Sequence, residues 1–115
     1  MGLKVTVEEK EGEAIVHLDG RLDAISTPTL DKKLMELIRE KRKKKIMLDF
    51  SHVDYLSSAG MRLMLSITKQ LKNQEGKLSS YALSEDVMEI IRMAGFESLL
   101  NIFSSQEEAT HDDNQ

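Results

Sequence analysis

Cysteine is absent from the 115-residue chain, which excludes disulfides and thiolate metal sites. Tryptophan is absent as well, and aromatic residues make up only 4%, so the stacking platforms that hold single-stranded nucleic acids are missing. No apolar run approaches the roughly eighteen residues of a bilayer-crossing helix. The opening "MGLKVTVEEK" also lacks the long apolar segment of a signal peptide. These absences predict a cytoplasmic protein with no membrane partner. The three histidines, His17, His52 and His111, lie far apart without ligand spacing, so no metal is expected. A formal net charge of −4 argues against direct binding of nucleic acid.

What is present reads as one compact α/β domain. Leu3, Val5 and Val7 alternate with polar residues, a turn follows at Lys10 to Gly12, and Ala14 to Leu18 forms a second β-rich run, together a hairpin. Thr27 followed by Pro28 reads as an N-cap and first helical residue, with Leu30, Leu34, Leu37 and Ile38 at helical spacing to about Arg42. "KIMLDF" is a short buried strand ended by Asp49, leading into the loop "SHVDYLSS". A helix is expected from Ser58 to about Lys72, stopped by Gly76, then a strand in "LSSYAL" and a helix capped by Ser84 and closed by Gly95. "FESLLNIF" fits either a strand or a helical turn, and the polar end is expected to fray beyond Ala109. The strands after the hairpin alternate with helices and should be parallel. Functional loops then gather at the carboxyl ends of the strands.

No catalytic constellation emerges. Ser57 and Ser58 have no evident base, residues 56–60 read L-S-S-A-G rather than a nucleophile elbow, and the glycines are too isolated for a phosphate-cradling loop. His17 is expected on a half-exposed strand face and His52 in the loop without a partner. The basic run "REKRKKK" at 39–45 fits the end of the first helix, where cations complement the dipole. Ser57 and Ser58, before Ala59 and Gly60, have two readings. A serine there can cap the helix, or its hydroxyl can carry a phosphate that the helix N-terminus accommodates. Asp23, Asp49 and Asp54 are the carboxylates nearest these serines, with turn chemistry as their plainer role.

The segments "VHLDGRLDAISTPTL", "KIMLDFSHVDYLSSAGMRLML" and "ALSEDVMEIIRMAGFESLLNIF" resemble the STAS domains of bacterial anti-sigma factor antagonists. The resemblance spans residues 3–109, with 110–115 left as a disordered acidic tail. It rests on G-x-L-D after the second strand, L-D-[LF]-S-x-V-x-[YF], and S-[STA]-G opening a helix. It implies a small mixed sheet of four to five strands with helices mainly on one side. It further implies a non-enzymatic partner switch that needs no cofactor. Ser58 is then the phosphoacceptor, modified by an anti-sigma factor that is also a serine kinase and restored by a serine phosphatase. Asp23, Ser57, Ser58, Gly60, Met61 and Arg62 are the implied partner surface. Two departures stand out. Ser57 occupies a position where many switch members have Asp, which makes it a second candidate hydroxyl, and Arg62 stands where many have glycine. The same domain type also serves as a constitutive scaffold or accessory subunit of signalling or lipid-transport complexes, which is the alternative implied role.

Overall fold

The computed structural model describes residues 2–112. Strand β1 (Leu3–Lys10) turns back into β2 (Glu13–Leu22), and the two pair antiparallel from Leu3↔Gly20 to Lys10↔Glu13. This is the hairpin that the alternation of Leu3, Val5 and Val7 predicts, and those three side chains pack onto the core.

Helix α1 (Thr27–Met35) starts one residue earlier than expected. Ser26 holds the cap position without a side-chain cap, and Thr27 is already helical. The reason lies in the preceding turn. Thr27 Oγ1 donates to Asp23 O at 2.6 Å and Ser26 Oγ to Arg21 O at 2.6 Å, so both hydroxyls are drawn backwards rather than onto helix amides. The helix widens into a π turn over Glu36–Glu40 that buries Leu37 and Ile38.

Strand β3 (Lys45–Leu56) is longer than its apolar run suggested. Residues 51–56, expected as loop, continue the strand because β2 runs beside them as far as Leu22↔Leu56. Register shifts between His17 and Asp19, and between Gly20 and Arg21, let polar residues enter the ladder while Val53 and Leu56 stay buried. Helix α2 (Ser58–Asn73) follows at once. Its end differs from expectation in detail: Glu75 takes the left-handed conformation, at φ 62°, whereas Gly76 is required by space. A Cβ at Gly76 would stand 2.3 Å from Lys44 O.

Strand β4 (Lys77–Tyr81) and helix α3 (Glu85–Ala94) come next, with Ser84 capping α3 by accepting from Val87 N at 3.2 Å, as expected. "FESLLNIF" divides between its two readings, a 3-10 turn over Glu97–Leu99 and β5 (Ile102–Phe103). Helix α4 (Gln106–His111) closes the described chain. Thr110 and His111, assigned by composition to a frayed tail, therefore complete a helix, and residues 113–115 lie outside the described residues.

The result is an α/β fold with one mixed five-stranded sheet in the order β1-β2-β3-β4-β5, parallel except at β1 and β2. Helices α1, α2 and α3 bury Leu30, Leu34, Ile67, Leu71, Val87 and Ile91 in one core against Val16, Leu48 and Phe50. Helix α4 seals a smaller patch of Ile15, Met47, Tyr81 and Ala109. Because β2 and β3 are parallel, their carboxyl ends emerge together, and that edge carries the serine pair.

Candidate functional site

The carboxyl ends of β2 and β3 are stitched by Ser57 N, which donates to Leu22 O at 2.8 Å. Ser57 is the N-cap of α2. Its backbone is extended (φ −85°, ψ 170°), and its hydroxyl accepts from Gly60 N at 3.2 Å. The capping reading of the serine pair is therefore realised, and by Ser57. Ser57 serves the helix, while Ser58 is the first helical residue, is exposed, and has no side-chain hydrogen bond among the described residues.

The remaining candidates are brought to the same end in different ways. Gly60 is buried beneath the serines, where a Cβ would stand 2.7 Å from Leu56 Cδ1 and 3.3 Å from Leu22 O. Only glycine lets α2 come this close to the strand ends. Met61 packs into the main core at 5% exposure and supports the surface from beneath. Arg62 is exposed, and among the described residues it has no ion-pair partner.

Asp23 lies in the β2–α1 turn three residues before Ser26. Its Oδ1 accepts from Ile25 N at 3.0 Å and Ser26 N at 2.9 Å, and its carbonyl accepts from Thr27 N at 2.9 Å. The amide bond from Ser26 is the main cause of a carboxyl pKa below the ordinary range, helped by the Ser26 hydroxyl, the Ile25 amide and the nearby Arg21 charge. The carboxylate is thus the structural centre of its loop, and the residue follows Leu22, whose carbonyl binds Ser57 N. Asp49 is not part of this edge. It sits further back along β3, where Nδ1 of His17 meets its Oδ2 at 2.6 Å and Ser51 N donates to its Oδ1.

Three features escaped the sequence reading. His17 holds Glu8 as well as Asp49, which joins β1, β2 and β3 on the sheet face away from α1 and α2. Arg21 stacks 4.4 Å over the Tyr55 ring, to which it is paired in register. Ile25, at the tip of the Asp23 turn, is 89% exposed. A period-two count from His17 to Asp49 on parallel strands could have hinted at the first; the second depends on where β3 ends, and the third on the side-chain bonds that fix the Asp23 turn. His52, expected without a partner, meets Ser51 Oγ at 3.1 Å.

Arg39 lies in the last turn of the helical segment that ends at Glu40, as expected, and the lysines that follow have further uses. Lys44 Nζ donates to Gln74 O at the end of α2, and Lys45 Nζ to Thr110 O in α4. Lys43 is buried, donating to Lys10 O and pairing with Glu9. The cations therefore complement the carboxyl ends of other helices and pin the hairpin.

Comparison with known proteins finds chains of similar sequence and fold. The family model described as the STAS domain matches residues 4–109. The chain is 31% identical over 107 residues to BtrV of Bordetella bronchiseptica, covering 93% of this chain and 91% of that protein. It is 28% identical over 107 residues to the anti-sigma-B factor antagonist of Bacillus subtilis, covering 93% and 96%. Among solved structures it superposes on unphosphorylated SpoIIAA, an anti-sigma factor antagonist, with a TM-score of 0.74 at 18% identity over 95% of this chain and 96% of that one. The phosphorylated form of the same Bacillus protein gives 0.71, also at 18% identity, over 93% and 96%.

Proposed function

The chain belongs to the STAS domain family, and on that premise we propose that it is an anti-sigma factor antagonist working as a partner switch. It binds an anti-sigma factor with serine kinase activity through the Ser58 edge, and lets go once Ser58 carries phosphate. A serine phosphatase restores the binding form. The chain itself catalyses nothing in this scheme, which operates in the cytoplasm. The observation that carries the reading is the division of labour between the serines. Ser57 takes the cap, so the exposed hydroxyl of Ser58 is left for modification without loss of a structural bond.

Charge explains the switching. A phosphate adds about −1.5 to −2 units of charge. Within this chain the N-terminus of α2 accommodates it, at up to about 2 kcal/mol, and Arg62 one turn along offers a guanidinium. In an interface the same dianion must be desolvated, a penalty of several kcal/mol unless it is paired. About 3 kcal/mol is a hundredfold in affinity, enough to release a partner.

Intact mass of the chain purified from its native host across growth conditions, with fragment mapping, tests the proposal. A population heavier by one phosphate on Ser58, absent from the fraction bound to an anti-sigma factor, is the expected result. A single unmodified mass under all conditions, in bound and free fractions alike, overturns it.

A further inference from the structure

We infer that Ile25 is the apolar anchor of the partner surface, the side chain that an apolar pocket on the anti-sigma factor receives. The inference rests on the partner-switch reading and adds to it the residue that supplies affinity.

Its basis is an exposure that the loop enforces. Ile25 is 89% exposed, and a lone exposed apolar residue is ordinarily unremarkable on a protein surface. Here the backbone on both sides is fixed. Asp23 Oδ1 holds the amides of Ile25 and Ser26. Ser26 accepts from Asp23 N at 3.0 Å and donates to Arg21 O, and Thr27 donates to Asp23 O. Ser26 and Thr27 are both buried. With its neighbours turned inward and locked, Ile25 is held outward and has no route to the core. A β-branched side chain on such a loop has little rotamer freedom left to lose, so seating it in a pocket carries a small ordering cost.

Position supplies the second argument. Ile25 lies three residues beyond Leu22, whose carbonyl binds Ser57 N, so the turn and the phosphoacceptor share one edge of the fold. The other large exposed apolar residues among the described residues, Met93 and Leu99, belong to the last turn of α3 and the 3-10 turn after it. A pocket closing over Ile25 excludes water beside Ser58. A dianion is penalised there far more than on a wet rim. The anchor therefore supplies affinity for the unmodified form and makes the phosphate effective in abolishing it.

The test uses the anti-sigma factor that co-purifies with the wild-type chain from the native host, repurified and titrated calorimetrically. The variants are Ile25→Ala, Ser58→Asp and, as a control, Met93→Ala. Ile25→Ala is expected to weaken binding at least tenfold with an unchanged melting temperature, while Met93→Ala binds as wild type. Wild-type affinity for Ile25→Ala, with Ser58→Asp still released, overturns the anchor and leaves the switch standing. Equal losses for Ile25→Ala and Met93→Ala also overturn it, since the effect would not belong to this edge. Absence of any anti-sigma factor bound to the wild type removes the switch reading and the anchor with it.

Discussion

His17 on β2 bonds Asp49 on β3 through Nδ1 at 2.6 Å, and its other ring nitrogen is engaged as well, by Glu8 on β1 at 2.9 Å. An ionised carboxylate only accepts, so both nitrogens carry protons when both bonds are made, and the ring is an imidazolium. Its pKa accordingly lies above the ordinary 6.5, through the bond to Glu8 first and that to Asp49 second, against a smaller opposing effect of burial. Asp49 moves the other way. Burial alone would raise it, but the bonds from Ser51 and His17 hold it below the usual carboxylate range. Beside it, Tyr81 is pushed up to about 12 by burial and then by the charges of Asp49 and Glu8.

A pH dependence of stability follows from these shifts. A group whose folded pKa is raised binds more protons folded than unfolded between the two values, so stability falls as pH rises through that window. His17 therefore contributes fully below about pH 6.5 and loses its contribution above. Asp49, with its depressed value, contributes above the ordinary carboxylate range and loses its part as the solution is acidified. Glu8 is exposed, so the cluster is worth about 1 kcal/mol at most. Melting curves are expected to show a decline from pH 6 to pH 9 that His17→Asn flattens. A wild-type profile as flat as that of the variant would count against the imidazolium.

The contrast between this cluster and the serine edge shows what a sequence can display. The hairpin, the apolar faces of the helices and the cap at Ser84 were legible because local periodicity and hydrogen-bonding chemistry determine them. The crowded junction at the start of α2 was legible through Gly60, where a Cβ would meet Leu56 and the Leu22 carbonyl. The continuation of β3 through "SHVDYL" was not legible, because its polar residues are strand only by virtue of β2 running alongside. Asp49, which His17 bonds, and the destinations of Lys44 and Lys45 lie 30 or more residues away along the chain. No local pattern encodes such pairings.

Gly60→Ala tests the close approach of α2 to the strand ends. Alanine is the better helix former by about 1 kcal/mol, so propensity alone predicts stabilisation. The contact of the added Cβ with buried Leu56 and with the Leu22 carbonyl is expected to prevail at about 1 to 3 kcal/mol, as for other overpacked sites. Chemical denaturation should show a lower midpoint with an unchanged slope. A raised midpoint would mean that Leu56 relaxes freely.

Asp23 should separate its two roles by the choice of replacement. Asparagine keeps the oxygen that accepts from Ile25 N and Ser26 N, so Asp23→Asn should shift the melting temperature little while altering kinase or partner recognition. Alanine removes the acceptor and leaves Ser26 N unpaired in a part-buried turn. The expected cost of Asp23→Ala is about 1 to 3 kcal/mol. Equal melting temperatures for the two variants would show that the carboxylate does not hold the turn.

The serine pair gives the sharpest test, because capping and switching fall on adjacent residues. Ser57→Ala removes the acceptor for Gly60 N and should cost about 0.5 to 2 kcal/mol, yet retain labelling by a cognate kinase. Ser58→Ala should leave stability nearly unchanged, since its hydroxyl makes no bond among the described residues, and should abolish labelling while preserving partner affinity. Ser58→Asp places a negative charge where the helix N-terminus favours it. It should therefore fold at least as well as wild type and bind the partner more weakly. If Ser58→Ala melted lower than Ser57→Ala, the cap assignment would fail. If Ser58→Ala and Ser58→Asp bound the partner equally, charge at this position would not be what releases it.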